Sequence, residues 1–305
     1  MPQSSDVRIL SAIVHHMQSV EDDPLTALID EYLIKREQPE YANLRIWSVT
    51  LPLVDRPRPG GRISPSSVCG CERQAAMKFV GVQGRTRIDP DEQLIFEDGK
   101  WRHHKWQTMF REMEQILGRD RFRVVSIEEP IVIDKLYIAG HLDAVIKIKV
   151  KKKWRRYVID IKGANEYAWE NAYQKQAPDP KYVRQIITYA KAKGIKRAIL
   201  LYESKNRNKF YCFAVTVTPE LWAEVQLWAK RIIEQVQDRK LPPMHPECHN
   251  GTFLYNKCPY KSMCFGKLTP RQLERKVYRD FDSIDAAWER GHDIVEAHAV
   301  PDDDV

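Results

Sequence analysis

The chain has 305 residues, a net charge of +7 and a hydrophobic fraction of 43%. That fraction supplies enough apolar side chains for a folded core and excludes wholesale disorder. No segment approaches the run of about 20 apolar residues that spans a bilayer, and the N-terminus does not resemble a signal peptide. We therefore expect a soluble, cytoplasmic protein with no membrane partner, and the basic charge weakly favours a polyanionic partner.

The pattern of apolar residues divides the chain into three parts. Residues 1–63 are predicted to form a helical N-terminal arm and a linker rich in Pro, Gly and Arg. Residues 64–270 contain a predicted helix, three strands from Phe122 onward, a second helix, two further strands and an amphipathic helix. Residues 271–305 are predicted to be a helical and then acidic tail. This order predicts an α/β fold with a mixed central sheet flanked by helices.

Two carboxylates lie within apolar strands of the central part. Asp143 stands in GHLDAVI and Asp160 in VIDIKG, and we expect the two strands to pair as a hairpin. Burying carboxylates is costly unless a cation compensates them, and two such oxygens suit magnesium or manganese. Lys162 shares the face of Asp160 because side chains alternate along a strand. The alternative is an ordinary ion pair between Asp160 and Lys162.

A helix downstream carries Gln185 and Tyr189 four residues apart, and therefore on one face. Together, GHLDAVI, VIDIKG and QIITYA resemble the PD-(D/E)xK nuclease superfamily, in its RecB-like branch. The resemblance implies a restriction-endonuclease-like core. It also implies that His103, Asp143 and Asp160 bind Mg²⁺ or Mn²⁺.

The resemblance assigns roles to further residues. Lys162 would position or activate the attacking water, with Gln185 and Tyr189 completing the catalytic group. Glu129, in EEPIVI, resembles an acidic position of the family that touches the metal through water, although a solvated strand end is an equal alternative. His104, the neighbour of His103, fits the motif less well.

The six cysteines include one early and three late members of a possible metal site. Cys71 lies in CGCERQAAMKF, Cys248 in HPECHN, and Cys258 and Cys264 in NKCPYKSMC. This arrangement resembles the iron–sulfur RecB-like nucleases, among them CRISPR-associated and phage exonucleases. A metal bound by these cysteines would link the two ends of the domain, so that the C-terminal cysteines act as a staple.

The chemistry of the cysteines leaves two metals open. Four thiolates suit a 4Fe–4S cluster or a tetrahedral zinc, and the resemblance prefers iron. Nine residues separate Cys248 from Cys258, wider than the family spacing, so Cys69, His245 or His249 are alternative ligands.

Basic and aromatic residues are candidates for DNA contact. Lysines and arginines hold phosphates without reading sequence, and exposed aromatic rings stack on unpaired bases. A solvated hairpin tip and a packed core are the respective alternatives. The basic candidates are Arg73, Lys147, Lys149 and Arg155, with Tyr189 as a further contact; the aromatic candidates are Trp101, Trp106, Trp154 and Trp169.

The resemblance implies a metal-dependent DNA exonuclease, with single-stranded DNA as the preferred substrate. The expected partner is DNA with free ends, and a helicase or recombination protein is a possible second partner. The setting would be phage or prokaryotic recombination, repair or CRISPR adaptation. Two other functions stay open: a catalytically silent nucleic-acid clamp on a nuclease fold, and a zinc-stapled interaction module whose carboxylates are structural.

Overall fold

The computed structural model describes residues 24–36, 60–84, 90–207, 209–249 and 252–296. The predictions for the start of the N-terminal arm and for the acidic end of the tail lie outside these residues. The chain divides into two compact units. The first contains Gln93–Glu129, His141–Pro219 and the described residues before position 53, and the second contains Pro130–Gly140, the described residues from 60 to 92 and those from Glu220 onward.

Helices and strands alternate along the described chain much as the sequence predicts. The helices are α1 (Pro24–Arg36), α2 (Glu72–Phe79), α3 (Pro90–Leu117), α4 (Glu166–Lys175), α5 (Pro180–Ala192), α6 (Pro219–Gln237), α7 (Phe253–Lys257), α8 (Lys261–Cys264), α9 (Pro270–Val277) and α10 (Ile284–Glu296). The strands are β1 (Phe122–Ile133), β2 (Ile138–Val150), β3 (Lys153–Ala164), β4 (Arg197–Ser204) and β5 (Phe210–Thr216).

The strands form one five-stranded sheet in the order β1-β2-β3-β4-β5. β2 and β3 are antiparallel, β3 and β4 are parallel, and β4 and β5 are antiparallel. The parallel pair needs a crossover connection, which α4 and α5 supply. The prediction of an α/β fold with a mixed sheet flanked by helices is confirmed.

A tight hairpin joins β2 to β3. Lys151 and Lys152 have φ values of 48° and 66°, the left-handed values that a two-residue type I′ turn requires at both positions. This turn fixes the register, in which Lys147 pairs with Arg156 and Lys149 with Trp154. The hairpin therefore carries basic residues on both strands near its tip.

The main core lies between one face of the sheet and the helices α1 and α3. Leu25, Ile29 and Tyr32 of α1 are fully buried and belong to the same cluster as Phe110 and Met113 of α3. Burying each such side chain contributes about 1.5–3 kcal/mol. Helix α1 is therefore part of the core of the first unit, although the sequence assigned residues 1–63 to an arm.

Helix α5 covers the other face of the sheet at β3 and β4. Its apolar side chains Val183, Ile186 and Ile187 are buried, while Lys181 and Lys191 are exposed. Asp179 caps its first turn by accepting a hydrogen bond from the Lys181 amide at 2.8 Å. This placement brings one side of α5 against the strand that carries Asp160.

The second unit is mainly helical. Trp228 of α6 donates its indole N–H to the Gly70 carbonyl at 3.2 Å, just before α2. The Tyr137 ring meets Trp288 of α10 edge-on, with centroids 5.5 Å apart. Among the described residues, no helix is long and apolar enough to cross a membrane.

Candidate active site

Asp143 and Asp160 lie side by side on adjacent strands. The register pairs Ala144 of β2 with Ile159 of β3, and the two aspartates are the next residues along each strand. They project from one face because side chains alternate. Asp143 is 7% exposed and Asp160 is 1% exposed. The structure thus brings together the two carboxylates that the sequence placed on one hairpin.

Both oxygens of Asp143 are engaged. Oδ2 accepts a hydrogen bond from the Ile161 amide at 2.6 Å, and Oδ1 lies 3.3 Å from His103 Nδ1. Burial raises the pKa of Asp143, but His103, Lys162 and the Ile161 amide outweigh burial and hold that pKa below its ordinary value. Asp143 therefore carries its negative charge at neutral pH.

Lys162 lies within ion-pair distance of both oxygens of Asp160. Lys162 Nζ donates a hydrogen bond to Oδ1 at 3.0 Å and lies 2.9 Å from Oδ2. The hydrogen-bond geometry is met only at Oδ1, so Oδ2 is a buried oxygen that accepts no hydrogen bond. Burial raises the pKa of Asp160 to about 6, with the Asp143 carboxylate adding to the rise and Lys162 opposing it.

Lys162 is held between its carboxylate partner and an aromatic ring. Its ammonium lies 4.8 Å from the centroid of the Tyr182 ring of α5, within the range of a cation–π contact. Burial lowers the pKa of Lys162, but the charges of Asp160 and Asp143 outweigh burial and leave that pKa above its ordinary value. Tyr182 was not foreseen from the sequence.

His103 is carried by α3, a helix that Glu203 of β4 fixes in place. Glu203 is a buried carboxylate that accepts hydrogen bonds from Arg102 at 2.7 Å and from the Trp106 indole at 2.6 Å. Lys105 is its third donor. These donors stand on both sides of His103 along the helix, so Glu203 anchors the turn that presents the imidazole.

The imidazole of His103 faces the Asp143 carboxylate. Burial lowers the pKa of His103, but the charge and hydrogen bond of Asp143, with the charge of Glu128, together outweigh burial and raise that pKa to about 9. The adjacent His104 contacts the Trp101 ring instead, with centroids 6.1 Å apart. The structure therefore places His103, and not His104, beside the carboxylates.

Glu128 occupies the acidic position that the sequence assigned to Glu129. Donor atoms of His103, Glu128 and Asp143 all lie within 4.8 Å of one another. Gln107 of α3 donates a hydrogen bond to the Glu128 carboxylate at 2.5 Å. Glu128 is exposed as a whole residue, but its carboxyl group is largely surrounded by protein atoms. The resulting desolvation, together with the charge of Asp143, raises the pKa of Glu128.

Glu129 points to different partners. Its carboxylate accepts hydrogen bonds from Ser126, at 2.5 Å, and from Lys193. Glu128 has a left-handed φ of 51°, which breaks the alternation of β1 at this point. No sequence signal in EEPIVI indicates that break, and period-two reasoning alone does not choose between the two glutamates.

Gln185 and Tyr189 form a buried pair on α5. Gln185 Nε2 donates a hydrogen bond to the Tyr189 hydroxyl at 2.9 Å. Burial raises the pKa of Tyr189, and the charges of Asp160 and Asp143 raise it further, so the phenol lies close to both carboxylates. Tyr189 is only 5% exposed, and its predicted roles in catalysis and DNA contact stay predictions.

The basic candidates divide between the two faces of the hairpin. Lys147 and Lys149 have the same parity as Asp143 and share its face. Arg155 pairs with Ile148, on the opposite face. Arg156, which the sequence analysis did not select, pairs with Lys147 on the carboxylate face.

The tryptophans divide in the same way. Trp106 and Trp169 are buried, whereas Trp101 is 61% exposed and Trp154 is 38% exposed. Only the last two can meet an unpaired base without repacking of the core.

In the second unit, four cysteines from separate segments line one small pocket. Cys71 precedes α2, Cys248 and Cys258 come from the loops around α7, and Cys264 ends α8. His245, named as an alternative ligand, also lines this pocket. Burial raises the pKa of the thiols of Cys248, Cys258 and Cys264, and the neighbouring cysteines add to the rise.

Arg73 also belongs to the cysteine pocket. Its guanidinium donates a hydrogen bond to the Pro242 carbonyl at 2.6 Å, and it opposes the rise in the pKa of Cys264. Arg73 is thus engaged beside the thiols, and its predicted contact with DNA stays a prediction.

No protein-family model and no curated protein matches this chain. Among solved structures, an alkaline exonuclease from Laribacter hongkongensis is similar over 58% of this chain and 89% of its own, at 14% identity and a TM-score of 0.38. Its complex with dAMP is similar over the same shares, at 13% identity and a TM-score of 0.37. A phage-related exonuclease from Haemophilus somnus 129PT is similar over 57% of this chain and 96% of its own, at 11% identity and a TM-score of 0.30. At such values the assignment of function rests on the site itself.

Proposed function

We propose that the protein is a metal-dependent deoxyribonuclease of the PD-(D/E)xK type. The observation that carries the proposal is the pair of buried carboxylates, Asp143 and Asp160, gathered with His103, Glu128 and Lys162. Buried charges are a poor source of stability, because their desolvation cost rivals the attraction that they gain. Such a group is typical of a site that binds a cation and a charged substrate.

The donor set fits Mg²⁺ or Mn²⁺. His103, Glu128 and Asp143 offer donor atoms within 4.8 Å of one another, and Asp160 adds a buried oxygen that accepts no hydrogen bond. Carboxylate oxygens with a single imidazole suit these hard cations. When bound, the cation would supply Lewis-acid activation of a phosphodiester.

The protein's own side chains would supply the remaining contributions to catalysis. Lys162 stands beside Asp160, where its ammonium can orient a water and stabilise negative charge on a phosphate oxygen. Gln185 and Tyr189 satisfy each other's polar groups and fix the side of α5 that adjoins the carboxylates. Glu203 would act indirectly, because its hydrogen bonds hold the turn of α3 that carries His103.

Cys71, Cys248, Cys258 and Cys264 would hold a metal cluster in the second unit. The support is their convergence on one pocket from segments far apart in the sequence. Four thiolates accept either 4Fe–4S or zinc, and the resemblance favours the iron–sulfur cluster. The cluster would order the loops around α7 and α8, which have little regular structure of their own.

The proposed reaction is exonucleolytic hydrolysis of DNA, with single strands preferred and free ends required. A helicase or recombination protein that exposes such ends would be a fitting partner. The setting would be recombination, repair or CRISPR adaptation in a prokaryotic or phage-infected cell.

The test is cleavage of end-labelled linear single-stranded DNA by protein with its cysteine cluster intact. Reactions would contain Mg²⁺, Mn²⁺ or chelator, and a closed circle of the same strand would run in parallel. We expect metal-dependent loss of the linear strand, and Asp160→Asn should lower the rate by about 100-fold or more. Asp280→Asn is the matched control, because Asp280 is a solvated surface carboxylate.

Each outcome has a distinct meaning. A spared circle supports an exonuclease, and a cut circle makes the enzyme an endonuclease with the same site. If neither linear single strands nor duplexes are cut, the proposal fails and the protein is a silent nucleic-acid clamp. Zinc without iron in the purified protein, together with no cleavage, would instead favour the interaction module.

A further inference from the structure

We propose that a single nucleic-acid strand runs over the hairpin surface next to the carboxylates, with a base stacked on Trp154. This surface, called here the basic face, consists of Arg123, Lys147, Lys149, Trp154 and Arg156. The inference rests on the proposed nuclease function, because it describes how the substrate would reach that site. It assigns the substrate class as single-stranded and names the residues that would hold it.

The register of the hairpin aligns the basic face with the carboxylates. Lys147 and Lys149 follow Asp143 at even spacing along β2, and Arg156 and Trp154 precede Asp160 at even spacing along β3. Since side chains alternate, all of them project from the face that carries the aspartates.

Arg156 is exposed at the surface of the hairpin, opposite Lys147. Glu114 is an acidic residue that lines one pocket with Arg123 and Lys147, and it is paired with Arg119. The charge balance of the basic face therefore stays positive.

Trp154 is presented for stacking. It is 38% exposed, and the Arg123 guanidinium lies 4.8 Å from its ring centroid. This cation–π contact orients the indole near the hairpin turn at the start of β3, across from Lys149. An exposed aromatic ring among cations is the arrangement that binds unpaired bases and their phosphates without regard to sequence.

The length of the basic face sets the length of strand that it can hold. Lys149 stands six positions after Asp143, a distance of about 20 Å at roughly 3.3 Å per residue. Nucleotides are spaced by at least about 3.4 Å along one strand. The basic face would therefore contact the first six nucleotides or fewer, counted from the scissile bond. A paired duplex cannot stack its bases on Trp154, which is why the geometry favours a single strand.

Arg155 and Arg156 provide a matched pair for the test. They are adjacent arginines on opposite faces of β3, so replacing either removes the same charge at nearly the same place. The experiment measures fluorescence anisotropy of a labelled oligothymidylate of about 16 nucleotides, with calcium replacing magnesium to slow hydrolysis. Binding would be followed from low to high salt for both alanine variants, with circular dichroism and thermal melting to check folding.

We expect Arg156→Ala to lower the slope of log affinity against log salt by about 0.7, the value for one lost single-strand phosphate contact. Arg155→Ala should leave the slope unchanged. Trp154→Ala should weaken single-strand binding by about 5- to 150-fold without changing the slope, and abasic nucleotides within the first six positions should abolish that difference.

Two results would overturn the inference. One is the same salt slope for Arg155→Ala and Arg156→Ala. The other is an equal effect of Trp154→Ala on a blunt duplex and on a single strand, which would make the basic face a duplex-binding surface. Binding is measured without cleavage, so a failed binding test is distinguishable from a failure of the nuclease proposal. A cleavage rate that is unchanged in Arg156→Ala would likewise count against this inference and leave the nuclease proposal intact.

Discussion

Replacing Glu203 tests how the fold positions His103, the histidine that we propose as a metal ligand. Glu203→Ala would leave the buried Trp106 indole N–H without its acceptor, at a cost of about 1–3 kcal/mol. Arg102 would lose a charge-assisted hydrogen bond, about 1.5–3 kcal/mol, but would keep Asp98 as a partner. Lys105 is 49% exposed and can turn to water. The expected loss of unfolding free energy is about 3–5 kcal/mol, as for other broken buried ion pairs.

Glu203→Gln is the milder variant with which to measure the effect on the site. It keeps one acceptor oxygen but removes the charge that holds Arg102 and Lys105. A shift of this turn moves His103 relative to Asp143, from which it is now 3.3 Å away. We expect Mn²⁺ affinity, measured by calorimetry on folded protein, to fall by about 10-fold, in the range found for outer partners of metal ligands.

A double-mutant cycle with His103→Ala separates positioning from general destabilisation. If Glu203 acts through His103, then Glu203→Gln should cost no further Mn²⁺ affinity once the imidazole is gone. An equal 10-fold loss in both backgrounds, or no loss in either, would refute the proposed role of Glu203. Urea unfolding of each variant would confirm that all measurements are made on native protein.

Two further predictions concern parts of the chain away from the catalytic group. Arg121 and Lys35 pair with Glu31 and lower the pKa of Glu31 from 4.5 to about 2, so this pair should stabilise the fold above pH 4.5 and lose its effect as pH falls toward 2. Because the pair is partly solvated, Glu31→Gln should cost about 1 kcal/mol at pH 7 and almost nothing near pH 2, and an equal cost at both values would contradict the assignment. Under the proposal of an iron–sulfur cluster, Cys258→Ser should lower the content of iron and acid-labile sulfide and should reduce the melting temperature, whereas Cys212→Ser should leave the iron content unchanged, since Cys212 lies in the sheet core. An iron content that is unchanged in Cys258→Ser would remove Cys258 from the proposed ligand set.

Local periodicity was sufficient to predict the two strands that carry the buried carboxylates. Asp143, Asp160 and Lys162 are separated by spacings that a hairpin with alternating side chains brings to one face, and the structure has this arrangement. The same parity also separates Arg155 from Arg156. The signal that places Arg156 on the carboxylate face was therefore present in the sequence, although the sequence analysis selected Arg155.

Other features depend on contacts that local sequence does not encode. Glu128 reaches His103 because its φ of 51° interrupts the alternation of β1. The residues next to Glu128 and Glu129 in the sequence do not indicate which of the two glutamates faces the site. Glu203 meets Arg102 across 101 positions of the chain. The burial of α1 likewise depends on the tertiary cluster that receives Leu25 and Ile29, because an amphipathic helix has the same pattern in an arm as in a core.

The charges gathered at the site suit the divalent cation that we propose for it. Glu128, Asp143 and Asp160 contribute three carboxylates, against the ammonium of Lys162 and the imidazole of His103, whose pKa is raised. Fully ionised, this group has one negative charge in excess, and burial together with mutual repulsion raises the pKa of Asp160 and of Glu128. Protons are then the available compensation in the free protein. A divalent cation can take over that role and release the protons, so the cost of keeping these carboxylates buried becomes binding free energy for the metal.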